Sequence, residues 1–283
     1  MTDLVVFGAD GQVGRALCEA ADANVAGYNR EAADITDAES VARAVAGTST
    51  VVNAAAFTSV DGAESAREDA FAVNTDGAAN IARACAEADK PLIHISTNYV
   101  FDGSSERAYR EDDPTGPLGI YGRSKLAGER AVAEHCERSV ILRTAWVYAA
   151  TGSNFVRTML RLANERNSLC VVDNQHSSPT WAHDIAVAIL AIAADGVTKP
   201  GVFHFCGSGT TTWHGFARAI FDLAGERGLP RVGELNPIPS SEYPTPAPRP
   251  ANSALDCSRI AKAYGITAPP WQESLAHCLD EMR

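Results

Sequence analysis

The chain has 283 residues, 46% hydrophobic and 21% charged, and a net charge of −11 from 24 basic and 35 acidic side chains. That composition suits a large folded core and excludes intrinsic disorder, and the acidic balance excludes bulk attraction to nucleic acid or an anionic membrane. No apolar run reaches the roughly 18 residues of a membrane span, no secretory leader or lipidation signal is expected, and seven scattered cysteines without a C-x-x-C pair point to free thiols in a reducing cytoplasm, with no metal site.

Short apolar runs alternate with helical patterns through the first half. Leu4–Phe7 reads as a buried strand, and Val13, Ala16, Leu17, Ala20 and Ala21 follow at helical spacing. Val25–Tyr28 is a second strand. Thr36-x-x-Glu39 reads as a capping box opening a helix. Thr50–Ala54 is a third strand, followed by one long helix through Ala70, Val73, Ile81 and Cys85. Pro91–Ser96 is a fourth strand, Gly122–His135 a helix and Val140–Leu142 a fifth strand.

Strands without polar alternation are buried on both faces. Interleaved with helices, they imply an α/β fold with a Rossmann-type, doubly wound parallel sheet over residues 1–150. Residues 151–283 read mainly as a smaller α/β subdomain, with some segments returning to the sheet. There the pattern gives helices at Asn154–Glu165, Trp181–Ala194 and Trp213–Ala224, strands at Leu169–Val172 and Val202–Cys206, and a last helix near Trp271–Met282. Asn236–Pro250 holds six prolines and reads as a loop too long to be idle.

Gly8-Ala9-Asp10-Gly11-Gln12-Val13-Gly14 joins the first strand to the first helix. In such a G-x-x-G-x-x-G turn the first glycine allows the bend, the second lets a pyrophosphate approach, and the third lets helix and strand pack closely. The helix N-terminus then offers free N–H groups to phosphate. The second strand ends in Tyr28-Asn29-Arg30-Glu31. Asn29 would not repel a 2′-phosphate and Arg30 could pair with one, so the residues favour NADPH over NADH.

Tyr121 and Lys125 lie four apart on one predicted helix, so they share a face. An ammonium beside a phenol favours the phenolate, which would make Tyr121 a general acid/base near neutral pH. Ser96 and Thr97 end the fourth strand, at the rim where doubly wound sheets hold ligands. Either hydroxyl could bond a substrate carbonyl. His94 and His183 read as core or surface residues.

The glycine turn, the Ser96–Gly103 segment and Tyr121–Glu129 together resemble the dTDP-4-dehydrorhamnose reductase family of extended short-chain dehydrogenases/reductases. So do Arg143–Tyr148, Asn154–Met159 and Tyr243–Pro250. The resemblance implies hydride transfer from NADPH or NADH to the C4 ketone of dTDP-4-dehydro-β-L-rhamnose. It implies that Tyr121 donates the proton, that Lys125 lowers the Tyr121 pKa and binds the nicotinamide ribose, and that Thr97 bonds the reacting oxygen. Asn29, Asp34, Ile35, Ala56, Phe57 and Thr58 fall where the family touches cofactor, with Gly11, Gln12 and Val13 along the pyrophosphate. Trp146 falls on the sugar nucleotide, and Arg249 is expected near the substrate diphosphate. The family usually has Asp where this chain has Asn98, expected at the sugar. The alternatives are a reductase of another dTDP-4-keto-6-deoxysugar and a non-catalytic dinucleotide-binding regulator. A 4,6-dehydratase would be expected to carry an Asp-Glu pair after Thr97, where this chain has Asn98-Tyr99. The resemblance leaves a monomer or a homodimer.

Overall fold

A computed structural model describes residues 2–21 and 24–282. The first half runs β1 (Thr2–Phe7), α1 (Gln12–Ala20), β2 (Val25–Tyr28), α2 (Ala38–Val45), β3 (Thr48–Asn53), α3 (Val60–Ser65), α4 (Arg67–Phe71), α5 (Ala78–Glu87), β4 (Leu92–Thr97), α6 (Ile120–His135) and β5 (Ser139–Thr144). Next come β6 (Val147–Tyr148), α7 (Phe155–Glu165), β7 (Ser168–Val172), β8 (His176–Ser177), β9 (Thr180–Trp181) and α8 (Ala182–Ala194). The chain ends with β10 (Gly201–His204), β11 (Thr211–Thr212), α9 (Trp213–Glu226), β12 (Glu234–Ile238), α10 (Ser258–Tyr264) and α11 (Trp271–Asp280).

Among the described residues, six parallel strands form the central sheet in the order β10-β5-β4-β3-β1-β2. Strand order reverses between β1 and β3, and an open parallel sheet forms its ligand crevice at such a switch point. Apolar side chains cover both faces. Val41, Ile81, Ala82 and Val132 from α2, α5 and α6 pack with Val5, Phe7 and Val51 on one side. Leu17 of α1, Ile185 and Ile189 of α8 and Ile260 of α10 pack with Val6, Val52 and Leu142 on the other. Each such large side chain contributes roughly 1.5–3 kcal/mol by burial. Thus α8, β10 and α10, all beyond residue 150, build against the first sheet. A separate core joins Val156 and Met159 of α7, Phe216 and Ile220 of α9 and Leu275 of α11.

Three expectations are corrected. The cap of α2 is Asp37, which accepts from Glu39 N and Ser40 N, while Thr36 Oγ1 turns back to Asp34. A carboxylate one residue nearer the helix displaces the proposed capping box. The single long helix after β3 is broken into α3, α4, a π-helical turn at Ala72–Gly77 and α5. The π turn carries Asn74, whose side chain bonds Phe57 and Ser124. The proline-rich segment opens as strand rather than loop: β12 pairs in parallel with β7, Pro237 opposite Val171. A two-stranded sheet has only edges, where a missing N–H is tolerated. Finally, α10 is a helix that the sequence pattern does not announce.

Candidate active site

A cleft of about 780 Å³ opens at the carboxyl ends of β1, β3 and β4, across the switch point. Gly8 (φ +81°) makes the bend out of β1, in a left-handed conformation that other residues rarely adopt. A Cβ on Gly14 would lie 2.1 Å from the Gly8 carbonyl oxygen, so α1 can sit this close only with glycine there. Gly14 itself does not line the cleft; Gly8, Gly11, Gln12 and Val13 do. Gly11 caps α1 without any side-chain bond, leaving first-turn N–H groups available to an anion.

The outer wall holds Asn29, Arg30, Asp34 and Ile35. Asn29 Oδ1 accepts from Ala32 N at 2.9 Å. Arg30, 82% exposed, reaches Asp34 at 3.2 Å. Asp34 also accepts from Thr36 N at 2.9 Å, and that bond is the main reason its carboxyl titrates below the usual range. Ala56, Phe57 and Thr58 follow β3 into the cleft. Their loop is pinned by buried Asn74, which exchanges bonds of 2.8 and 3.1 Å with the Phe57 backbone and donates to Ser124 Oγ at 2.9 Å.

Thr97, Tyr121 and Lys125 meet on the inner wall. Burial pushes the Tyr121 phenol up to about 12, opposed by a hydrogen bond from Thr97. Burial brings Lys125 down to about 8, opposed by the charge of Glu129. Lys125 Nζ donates to the Ile95 carbonyl at 2.7 Å. The phenol is thus raised rather than lowered, with burial as the main cause. The ammonium is directed at β4, and burial dominates the phenol. Of the two candidate hydroxyls, Ser96 Oγ is taken by Glu129 at 2.5 Å, which leaves Thr97 as the one aimed at Tyr121.

Asn98 and Trp146 line the far end. Asn98 is 2% exposed; its Nδ2 donates to Ser177 Oγ and to the Ser253 carbonyl, both at 3.1 Å, and its Oδ1 accepts from Thr97. Trp146 has φ +43°, a strained conformation worth on the order of 1–3 kcal/mol for a non-glycine residue. It stacks on Trp213 with ring centroids 3.6 Å apart. Arg249 stands outside the cleft lining, paired with Asp61 at 2.8 Å. It also bonds the Tyr99 phenol, which burial raises and Arg249 opposes. Sequence reasoning missed Tyr99 and Trp213, both in the cleft wall. Tyr99 had one available signal, its place two residues after Thr97. Trp213 had none beyond opening a helix.

A parallel sheet with its ligand cleft at the switch point, an uncapped helix after a glycine turn, and Thr, Tyr and Lys converging from β4 and α6 define a dinucleotide-dependent oxidoreductase site of the short-chain type. The profile of the RmlD substrate binding domain matches residues 1–283, and the chain belongs to that family. It is 43% identical over 280 residues to the dTDP-4-dehydrorhamnose reductase of Sinorhizobium fredii, covering 96% of this chain and 94% of that protein. It is 39% identical over 295 residues to the Escherichia coli enzyme of the same name, covering 99% and 98%. The crystal structure of the Bacillus anthracis dTDP-4-dehydrorhamnose reductase in complex with NADP superimposes with a TM-score of 0.93, at 33% identity and 99% coverage of both chains.

Proposed function

We propose that the protein is an NAD(P)H-dependent dTDP-4-dehydrorhamnose reductase, which reduces the C4 ketone of dTDP-4-dehydro-β-L-rhamnose to give dTDP-β-L-rhamnose. The observation that carries this reading is the convergence of Thr97, Tyr121 and Lys125 in the switch-point cleft of a chain alike over nearly its whole length to reductases of that name. The site fits a pyridine dinucleotide: the uncapped start of α1 suits the pyrophosphate, and Ala54–Ala56 leave room beside it. Residues 1–150 supply most of the cofactor wall, and residues 151–283 mainly bind the sugar nucleotide.

In this reading a bound dihydronicotinamide supplies the hydride. Gly11, Gln12 and Val13 hold its pyrophosphate, Asn29, Arg30, Asp34 and Ile35 its adenosine ribose, and Lys125 its nicotinamide ribose. Thr97 orients the ketone oxygen. Tyr121, kept protonated by burial, gives its proton to that oxygen as negative charge develops. Trp146, braced by Trp213, packs on the sugar nucleotide. Arg249 contributes positive potential through Tyr99.

Asn98 bears on the substrate. Its amide donors are both occupied by the protein, so the departure from Asp changes an internal tether rather than removing a free carboxylate from the sugar. The departure from Asp is therefore compatible with the rhamnose precursor. The test is turnover on a panel of dTDP-4-keto-6-deoxysugars, with product stereochemistry read by NMR. Preference for a different epimer of the ketone would replace the substrate and leave the reaction type standing.

A further inference from the structure

Three consecutive residues of β4 meet three residues of α6 spaced one turn apart. The Ile95 carbonyl accepts from Lys125, Ser96 Oγ donates to Glu129, and Thr97 and Tyr121 share the cleft wall, where the Thr97 hydroxyl opposes the rise of the phenol. The first and last contacts belong to the reaction. The middle one belongs to a buried ionic group that the reaction does not use. Glu129 Oε1 accepts from Ser96 Oγ at 2.5 Å and from Arg143 Nε at 2.9 Å, and Oε2 accepts from Arg143 Nη2 at 2.7 Å. The Glu129 and Arg143 side chains are 4% and 5% exposed. Arg143 sits opposite Ser96 in the β4–β5 register and opposite His204 in the β5–β10 register, with His204 Nε2 at 3.5 Å. The group thus ties α6 to three strands immediately beneath the cleft.

Buried ion pairs seldom stabilise a fold more than well-packed apolar side chains of the same volume would. What a bidentate, fully partnered carboxylate does supply is a fixed charge in a fixed place. We propose that Glu129 is a positioning residue: its carboxylate, pinned by Ser96 and Arg143, sets the charge and the axial position of Lys125 one helical turn away. The proposal rests on the reductase reading for its consequence, though not for its electrostatics.

The charged and titratable groups facing Lys125 are His94 from β4 and Tyr121 and Glu129 from α6, with Arg143 of β5 behind Glu129. His94 is driven well below its ordinary pKa, by burial and then by Lys125 itself, and is neutral. Tyr121 is neutral below about 12. Among the described residues, Glu129 is the anion whose charge opposes the effect of burial on Lys125.

The chain has only four lysines, Lys90, Lys125, Lys199 and Lys262, so the Lys125 Cε resonance can be assigned with Lys125→Met and titrated directly by carbon NMR. Glu129→Gln should lower the Lys125 titration midpoint by about one pH unit or more, and Glu129→Asp, which keeps the charge, should leave it within about half a unit. Ser96→Ala spares the ion pair and tests position. Its kcat should fall about 3–10-fold with KM nearly unchanged. An unmoved Lys125 midpoint in folded Glu129→Gln overturns the electrostatic role. If that variant does not fold, wild-type kcat in Ser96→Ala overturns the positioning role. Wild-type protein inactive on every keto-sugar, with Lys125 still responding to Glu129, would fault the reductase reading alone.

Discussion

Lys125 donates to the Ile95 carbonyl at 2.7 Å, and not to the phenol of Tyr121 one turn before it. The two residues are therefore separate devices. Tyr121 is a half-buried neutral acid, and Lys125 is a buried cation in the cleft wall.

That separation fixes the pH dependence. Tyr121 titrates near 12, so it stays protonated throughout the working range. Lys125 titrates near 8, so its ammonium is intact below that value and is lost as pH rises through it. Cofactor affinity should be flat below pH 7 and fall above about 8. Lys125→Met should bind weakly at all pH values and lose the alkaline limb. Fluorescence titration of NADPH against pH reads both.

Arg30 and Asp34 face each other at the mouth of the cleft at 3.2 Å, with the Arg30 side chain 82% exposed. A 2′-phosphate would draw Arg30 from that pair by charge-assisted hydrogen bonds. Arg30→Ala should weaken NADPH roughly 5–20-fold and change NADH affinity less than about 2-fold, because NADH has no phosphate there to bind. Equal losses for both cofactors would remove Arg30 from phosphate recognition.

Asn98→Asp replaces an amide donor with an anion facing the Ser253 carbonyl. The carbonyl keeps the Ser177 hydroxyl at 3.2 Å, but a carboxylate buried against it without the amide donor costs about 1–3 kcal/mol, so Tm should drop by roughly 3–8 °C at neutral pH. A protonated carboxyl could still donate to Ser253, so the folded-state pKa of the introduced carboxyl would be raised. The deficit should then shrink as pH falls toward the ordinary aspartate value near ~4. Calorimetry of both proteins across pH 4–8 tests this.

Much of this molecule was legible because its signals are local. The unbroken apolar runs of β1, β3 and β5 require burial on both faces, and the glycine turn between β1 and α1 requires a close approach. Residues 121 and 125 share a helical face wherever the helix lies. What the sequence hid depends on distant partners. The break of the helix before α5 goes with Asn74 reaching Phe57 and Ser124 across the fold. Ser96 looked as free as Thr97 until α6 brought Glu129 onto it. The pairing of Arg249, expected near the substrate diphosphate, with Asp61, 188 residues earlier, is invisible along the chain. Asn98 read as a sugar contact because nothing nearby announces Ser177 and Ser253.

Tyr121, as proposed, donates the proton to the reduced ketone. Tyr121→Phe removes one hydroxyl and keeps the ring. General acid groups typically contribute ~10²–10⁴-fold, about 3–5 kcal/mol of barrier. The kcat on dTDP-4-dehydro-β-L-rhamnose should fall by that factor, with NADPH affinity changed less than about 3-fold, since a loss confined to the transition state spares ground-state binding. Near wild-type turnover in Tyr121→Phe would contradict it, leaving Tyr121 as a packing residue in a dinucleotide-binding cleft.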